Sequence, residues 1–218
     1  FAHLLGSPRF ALQLDLLQQP GATAPPYAEQ IDDVLALLAG TYTDAAGTEA
    51  HAVPGEGAAL DVWILGSSGG DSATVAGERG LPFAANYHVS PATVIEAVTA
   101  AFRPRPGRDR PWVAVSADVV VGENAAHARE LATGYAAWVH SIRSGAGAIP
   151  FPTPDEARAM PWSDADQALV QDRLDTQFVG SPADVADQLA VLAAETGADE
   201  LVVTTITHDH ADRVRSYE

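Results

Sequence analysis

Apolar positions recur with two different periods along this chain. From residue 27 to 38, Ile31, Val34, Leu35 and Leu38 fall at i, i+3, i+4 and i+7, the stripe of an amphipathic helix, and Gly40 supplies its stop. Residues 61–66, 82–88, 112–121 and 200–206 are near-continuously apolar or β-branched, as strands covered on both faces should be. Between and after them three further helical stripes run through Ile95, Val98 and Phe102, through Leu131, Tyr135, Trp138 and Val139, and through Val185, Leu189, Leu192 and Ala193. Ser181-Pro182 with Asp184 forms a helix start and Gly197 a stop. Strands alternating with helices predict an α/β fold with a parallel sheet.

The remaining segments punctuate this pattern. Gln19 to Pro26 is too rich in turn formers for a regular element, and 41–59 reads as loop or hairpin. Residues 144–161 carry several Gly and Pro and predict an irregular insertion, of the kind that in barrels shapes a substrate mouth or else serves as a solvated connector.

The chemistry concentrates where the first apolar run empties into small residues. Gly66, Ser67, Ser68, Gly69, Gly70 and Ser72 lie between a strand and a helix, where backbone amides and hydroxyls cradle a phosphate, or where a plain N-capped turn sits. Asp71 must then point away from the anion. Asn86, Tyr87 and His88 end the second strand and face the carboxyl-end rim, as a substrate pocket or as a hydrogen-bonded border. His208-Asp-His210 places two imidazoles after the last strand, with His88 and Asp118 as further metal-ligand candidates; the competing outcome is Asp209 or Asp212 capping a closing helix. The G-x-S-x-G elbow of a serine hydrolase and the G-x-G-x-x-G dinucleotide fingerprint both fail on spacing.

Composition removes other chemistries. All 12 basic side chains are Arg, and Cys is absent, so Schiff bases, thiol nucleophiles, Cys-based zinc, iron–sulfur clusters and disulfides have no residue to build on. A net charge of −17 with no basic stripe disfavours nucleic acid. With no apolar run long enough to span a bilayer and no signal-peptide pattern at Phe1, the expectation is a soluble, cytoplasmic protein that does not engage membranes.

The ordered set Trp63-Ile-Leu-Gly-Ser-Ser68, Gly80-Leu-Pro-Phe83, Ala84-Ala-Asn-Tyr-His-Val-Ser-Pro91 and the terminal Glu195 to His210 stretch resembles the luciferase-like flavin-dependent monooxygenases over residues 27–218. That resemblance implies a (β/α)8 TIM barrel. About four β/α units are evident, so residues 1–218 are expected to be a single luciferase-like domain that lacks the N-terminal barrel strands, either as part of a longer chain or as an assembly of copies. The resemblance further implies a flavin-dependent monooxygenase that uses reduced FMN and O2 on a small organic substrate, with the 66–72 loop on the cofactor phosphate and Ser68 and Ser72 as its foremost contacts. F420 is the alternative cofactor, and a separate flavin reductase and a homo-oligomer are the partners left open. The catalytic residues are not assigned. A metal-dependent hydrolase on His88, His208 and His210 and a non-catalytic flavin-binding remnant are the competing classes.

Overall fold

The computed structural model describes residues 25–66, 71–88, 98 and 111–218. They fall into two compact units, divided between Val62 and Trp63.

In the first unit, helix α1 (Tyr27–Ala39) ends where Gly40 enters the left-handed region at φ 70°, as its glycine predicts. The buried residue of α1 is Leu37, which packs with Tyr42, Ala50 and Ala52. Val34, on the stripe the spacing selects, is exposed. The segment after the helix folds back through an antiparallel bridge between Thr43 and Glu49, and it lies against the Leu37 side.

The second unit carries a five-stranded parallel sheet: β1 (Ile64–Gly66), β2 (Phe83–Ala85), β3 (Val113–Val121), β4 (Gln177–Gly180) and β5 (Glu200–Thr204). The four strands that the apolar runs predict lie side by side in the order β1, β2, β3, β5. β4 is the addition. Asp118 of β3 pairs with both Gln177 and Thr204, so β4 and β5 flank β3 on opposite edges, and β4 takes over the edge that β2 leaves. Thr176 donates to the His88 carbonyl at 3.4 Å where the two strands meet. The strand of four residues, with only Phe178 and Val179 apolar, gives no run for a sequence pattern to detect.

Helices α2 (Asp71–Arg79), α3 (Ala125–Ala132), α4 (Tyr135–Arg143), α5 (Pro154–Ala159), α6 (Asp164–Leu174), α7 (Pro182–Thr196) and α8 (His210–Tyr217) complete the unit. None of the described helices is long and apolar enough to cross a membrane. The stripe through Leu131 and Val139 belongs to two helices rather than one: the chain breaks at Gly134, where an added Cβ would lie 2.6 Å from the Phe151 ring. Within 144–161, α5 follows turns and irregular chain and starts in a Thr153–Glu156 capping box. Ser181 and Asp184 form the reciprocal box that opens α7, Gly197 closes it at φ 63°, and Asp209 caps α8. Of the expected helix through Ile95, Val98 and Phe102, only Val98 is among the described residues, helical and buried.

Alternation gives the sheet two unlike faces. Ile64, Phe83, Ala85, Val113, Val115, Ala117 and Val119 share one face and are all buried. An added Cβ on Gly66, which belongs to this face, would meet Ser72 of α2. This is the helix-covered side. Leu65, Ala84, Ala114, Ser116, Asp118, Val202 and Thr204 share the other, where Leu65 is 73% and Val202 45% exposed. Closed into a barrel, that second face would be the interior.

Candidate functional site

The carboxyl ends of β1, β2, β3 and β5 bring polar residues together on the open face. After β2 the chain turns, and the Asn86 amide donates to the Gly66 carbonyl at 2.9 Å, which ties the rim residue to the end of β1. Ser116, two residues before Asp118 on the same face of β3, donates its hydroxyl to Asn86 Oδ1 at 3.0 Å. Its oxygen lies 2.7 Å from His88 Nδ1. The half-buried imidazole has its pKa pushed down, first by burial and also by the Arg173 charge, against an upward pull from Asp118. Tyr87 points elsewhere: its ring stacks on Phe178 of β4 with centroids 5.9 Å apart.

A second cluster adjoins this one. The Asp118 carboxylate accepts from the Tyr135 hydroxyl through Oδ2 and from the Thr204 hydroxyl through Oδ1. Arg173, at the end of α6, lies 3.6 Å from Asp118 and donates from Nη2 to Tyr135 Oη at 2.9 Å. Both charged side chains are withdrawn from solvent, with 8% of Asp118 and 15% of Arg173 exposed, and Arg173 Nε is buried without a partner among the described residues. Burial and the bond to Asp118 push the Tyr135 phenol upward, so it stays protonated and donating. α4 and α6 share a small core of Tyr135, Val139 and Val170 with Trp138 and Trp162 packed against it, and are clamped by Arg143 on Asp172 and by His140 on Asp166 at 2.8 Å. The Asp118 network ties this helical pair to the sheet.

Of the residues the sequence singles out, Gly66 and Ser72 meet: a Cβ on Gly66 would come 2.5 Å from Ser72 Oγ and 2.8 Å from the Phe83 ring. Gly66 is therefore required for the close approach of α2, whatever the loop binds. Ser67, Ser68, Gly69 and Gly70 lie outside the described residues. Asn86 and His88 join through Ser116. His208 and His210 are engaged separately, His208 Nδ1 on the Phe151 carbonyl at 2.8 Å and His210 Nδ1 facing Arg213 Nη2 at 2.7 Å. Among the described residues no three metal-ligating side chains converge. Ser116 carried a signal that could have found it: with Asp118, already singled out as a metal-ligand candidate, it makes two polar residues spaced i, i+2 inside a buried strand. Tyr135 and Arg173 carried none, since only the tertiary fold brings them to Asp118. A cleft of about 240 Å³ opens elsewhere, beyond the end of β3, lined by Val121, Gly122, Glu123, His127 and Arg215 among others.

The family model described as luciferase-like monooxygenase matches residues 21–200. This chain belongs to the luciferase-like monooxygenase family. It is similar to the uncharacterized protein YvbT of Bacillus subtilis strain 168, 36% identical over 174 residues that make up 78% of this chain and 51% of the relative. A luciferase-like monooxygenase of Escherichia coli K12 is 33% identical over 170 residues, 76% of this chain and 50% of its own. The chain thus spans about half the length of the curated relatives it matches. Among solved structures, apo-MsnO8 superimposes with a TM-score of 0.69 at 29% identity, over 90% of this chain and 60% of the other. An F420-dependent secondary alcohol dehydrogenase in complex with an F420-acetone adduct shares the fold alone, with a TM-score of 0.51 at 10% identity over 87% of this chain and 58% of the other. The parallel sheet, unclosed, is that of the luciferase-like TIM barrel, as the motifs around Trp63 and Gly80 imply.

Proposed function

We propose that this protein acts as a flavin-dependent oxidoreductase, a monooxygenase that takes reduced FMN and O2 to a small organic substrate. The observation that supports it best is the convergence, at one end of a luciferase-like sheet, of the Gly66–Ser72 strand-to-helix junction with the polar cluster of Asn86, His88 and Ser116. The donor set fits a phosphate: a hydroxyl at Ser72, a side-chain-free Gly66 and the opening amides of α2, which no intrahelical acceptor satisfies. Asp71, in the first turn, has to turn its carboxylate outward. In the reading we favour, Ser67, Ser68, Gly69 and Gly70 complete the cradle, and the exposed Leu65 and Val202 offer apolar surface on the open face that a bound cofactor would cover. Bound reduced flavin supplies the oxygen chemistry, while the protein binds, orients and dries the site.

Titration of the full chain with oxidised FMN, followed by flavin fluorescence, tests the reading, with F420 run in parallel. FMN should bind, and replacing Ser68 and Ser72 together by Ala, which removes both hydroxyls without adding bulk at the Gly66 contact, should weaken it at least about tenfold, which is about 1.4 kcal/mol, with the circular dichroism unchanged. Failure of both cofactors at high micromolar concentration overturns the reading. Binding of F420 alone moves the assignment to an F420-dependent oxidoreductase, and FMN binding without O2 uptake on reduction marks a non-catalytic flavin binder.

A further inference from the structure

The His88 ring has its tautomer dictated by its neighbours. The Asn86 Oδ1 atom can only accept, so the Ser116 hydroxyl proton, 3.0 Å away, is committed to it. The Ser116 oxygen is then left to accept, and the partner 2.7 Å from it is His88 Nδ1, which must carry a proton. A neutral ring so held has its lone pair on Nε2, and Nε2 has no hydrogen bond among the described residues. The backbone on both sides is anchored, by the Asn86 amide on the Gly66 carbonyl and by Thr176 on the His88 carbonyl. The charged groups that act on the ring are Asp118 from β3 and Arg173 from α6, with the Tyr135 hydroxyl bonded to both. Together with burial they leave His88 neutral at pH 7.

We propose that His88 is the proton acceptor of this site, receiving at Nε2 a proton from an acidic hydroxyl of a small bound substrate, with Ser116 and Asn86 as the positioning residues that hold Nδ1 protonated. In that step the substrate O–H bond breaks, its electron pair stays on oxygen, the Nε2–H bond forms, and the resulting imidazolium is favoured by the Asp118 charge and opposed by that of Arg173. The location of the substrate rests on the flavin-dependent reading; the state of the ring does not.

Long-range 1H–15N correlation spectra of the uniformly 15N-labelled full chain at pH 7.5 read the tautomer directly, with His88 identified by its absence in His88→Gln. A protonated Nδ1 and an unprotonated Nε2 are expected, Ser116→Ala should return the ring to the Nε2–H form favoured by free histidine, and Ser116→Thr should restore the original state. An Nε2–H ring in the wild type, or one indifferent to Ser116→Ala, overturns the proposal. The acceptor role is read with 4-nitrophenol as the hydroxyl probe, at a pH where the free probe is mostly protonated: the wild type should generate the phenolate absorption band, and His88→Gln and Ser116→Ala should lose it. If His88→Gln does not fold, Ser116→Ala decides the same point. FMN binding is measured on the same samples. No phenolate band in a wild type that binds FMN overturns this proposal alone, and a phenolate band without FMN binding overturns the flavin reading alone.

Discussion

Asp118 and Arg173 are the strongest test of how the α4–α6 pair is held to the sheet. At 3.6 Å and an effective dielectric near 20, their gross attraction is about 4.6 kcal/mol. Desolvating two charges takes back most of that, so the pair adds little net stability. Removing one partner is a different matter, because the survivor stays buried: Arg173→Met leaves the Asp118 carboxylate, among the described residues, with the Tyr135 and Thr204 hydroxyls, and Asp118→Asn leaves a guanidinium whose Nε has no partner among them. Each single variant should cost about 3 kcal/mol, the lower end for a broken buried pair, since Tyr135 still solvates both groups. The double variant should cost no more than either single one, a coupling of about 3 kcal/mol. Urea unfolding followed by tryptophan fluorescence reads it, with Trp138 and Trp162 packed against the α4–α6 core as reporters. Costs that add to within about 0.5 kcal/mol would refute the coupled network.

Three further outcomes are expected. Gly66→Ala places a methyl 2.5 Å from Ser72 Oγ and 2.8 Å from the Phe83 ring, so one of these side chains or α2 must shift; a stability loss of about 1–3 kcal/mol and weaker FMN binding should follow, and unchanged urea midpoints would refute the tight junction. Asp166, held to about 2 by the Ser163 hydroxyl and amide and then by His140, binds its proton less readily folded than unfolded; its contribution is complete above its ordinary 3.8 and lost as pH falls toward about 2. Asp166→Asn should remove that acid sensitivity, and an acid titration by circular dichroism identical to wild type would count against it. Ser181→Ala deletes the α7 capping box and should lower stability by about 1 kcal/mol, visible as a reduced Tm; an unshifted Tm would show the cap to be replaceable.

Much of the scaffold was legible because its determinants are local. Gly40, Gly197 and Ser181-Pro182 announce helix ends through backbone conformation and capping, and Val113 to Val121 announces a strand buried on both faces by being apolar almost throughout. α6 escaped because polar and apolar residues are spread around its whole circumference, with Val170 its one buried residue, and β4 escaped because four residues show no period. The candidate site was legible in part. Asn86 and His88 stood out as polar residues at the end of an apolar run, whereas the partner that orients them, Ser116, comes from the neighbouring strand, and register is a tertiary property. Arg173 is the extreme case: one Arg among twelve, distinguished only by the carboxylate and phenol that the fold sets around it.

The two faces of the sheet explain why the chemistry gathers where it does. The helix-covered face of the sheet is apolar and packed, so the polar side chains that the strands carry lie on the other face or at the strand ends. On that other face the exposed Leu65 lies low, Val202 pairs with Ser116, and Thr204 pairs with Asp118 one step further along, so that Ser116, Asp118 and Thr204 meet Asn86 and His88 toward the carboxyl end. A parallel sheet aligns its carboxyl ends by construction, so polar residues placed late in successive strands meet without any special loop. In this chain the insertion between β3 and β4 then folds α4 and α6 back to the same level, and Tyr135 and Arg173 engage Asp118 rather than solvent. The helical pair is thus held at Asp118 by the same strand that orients His88 through Ser116, two residues away, and a ligand that disturbs one is positioned to be felt by the other.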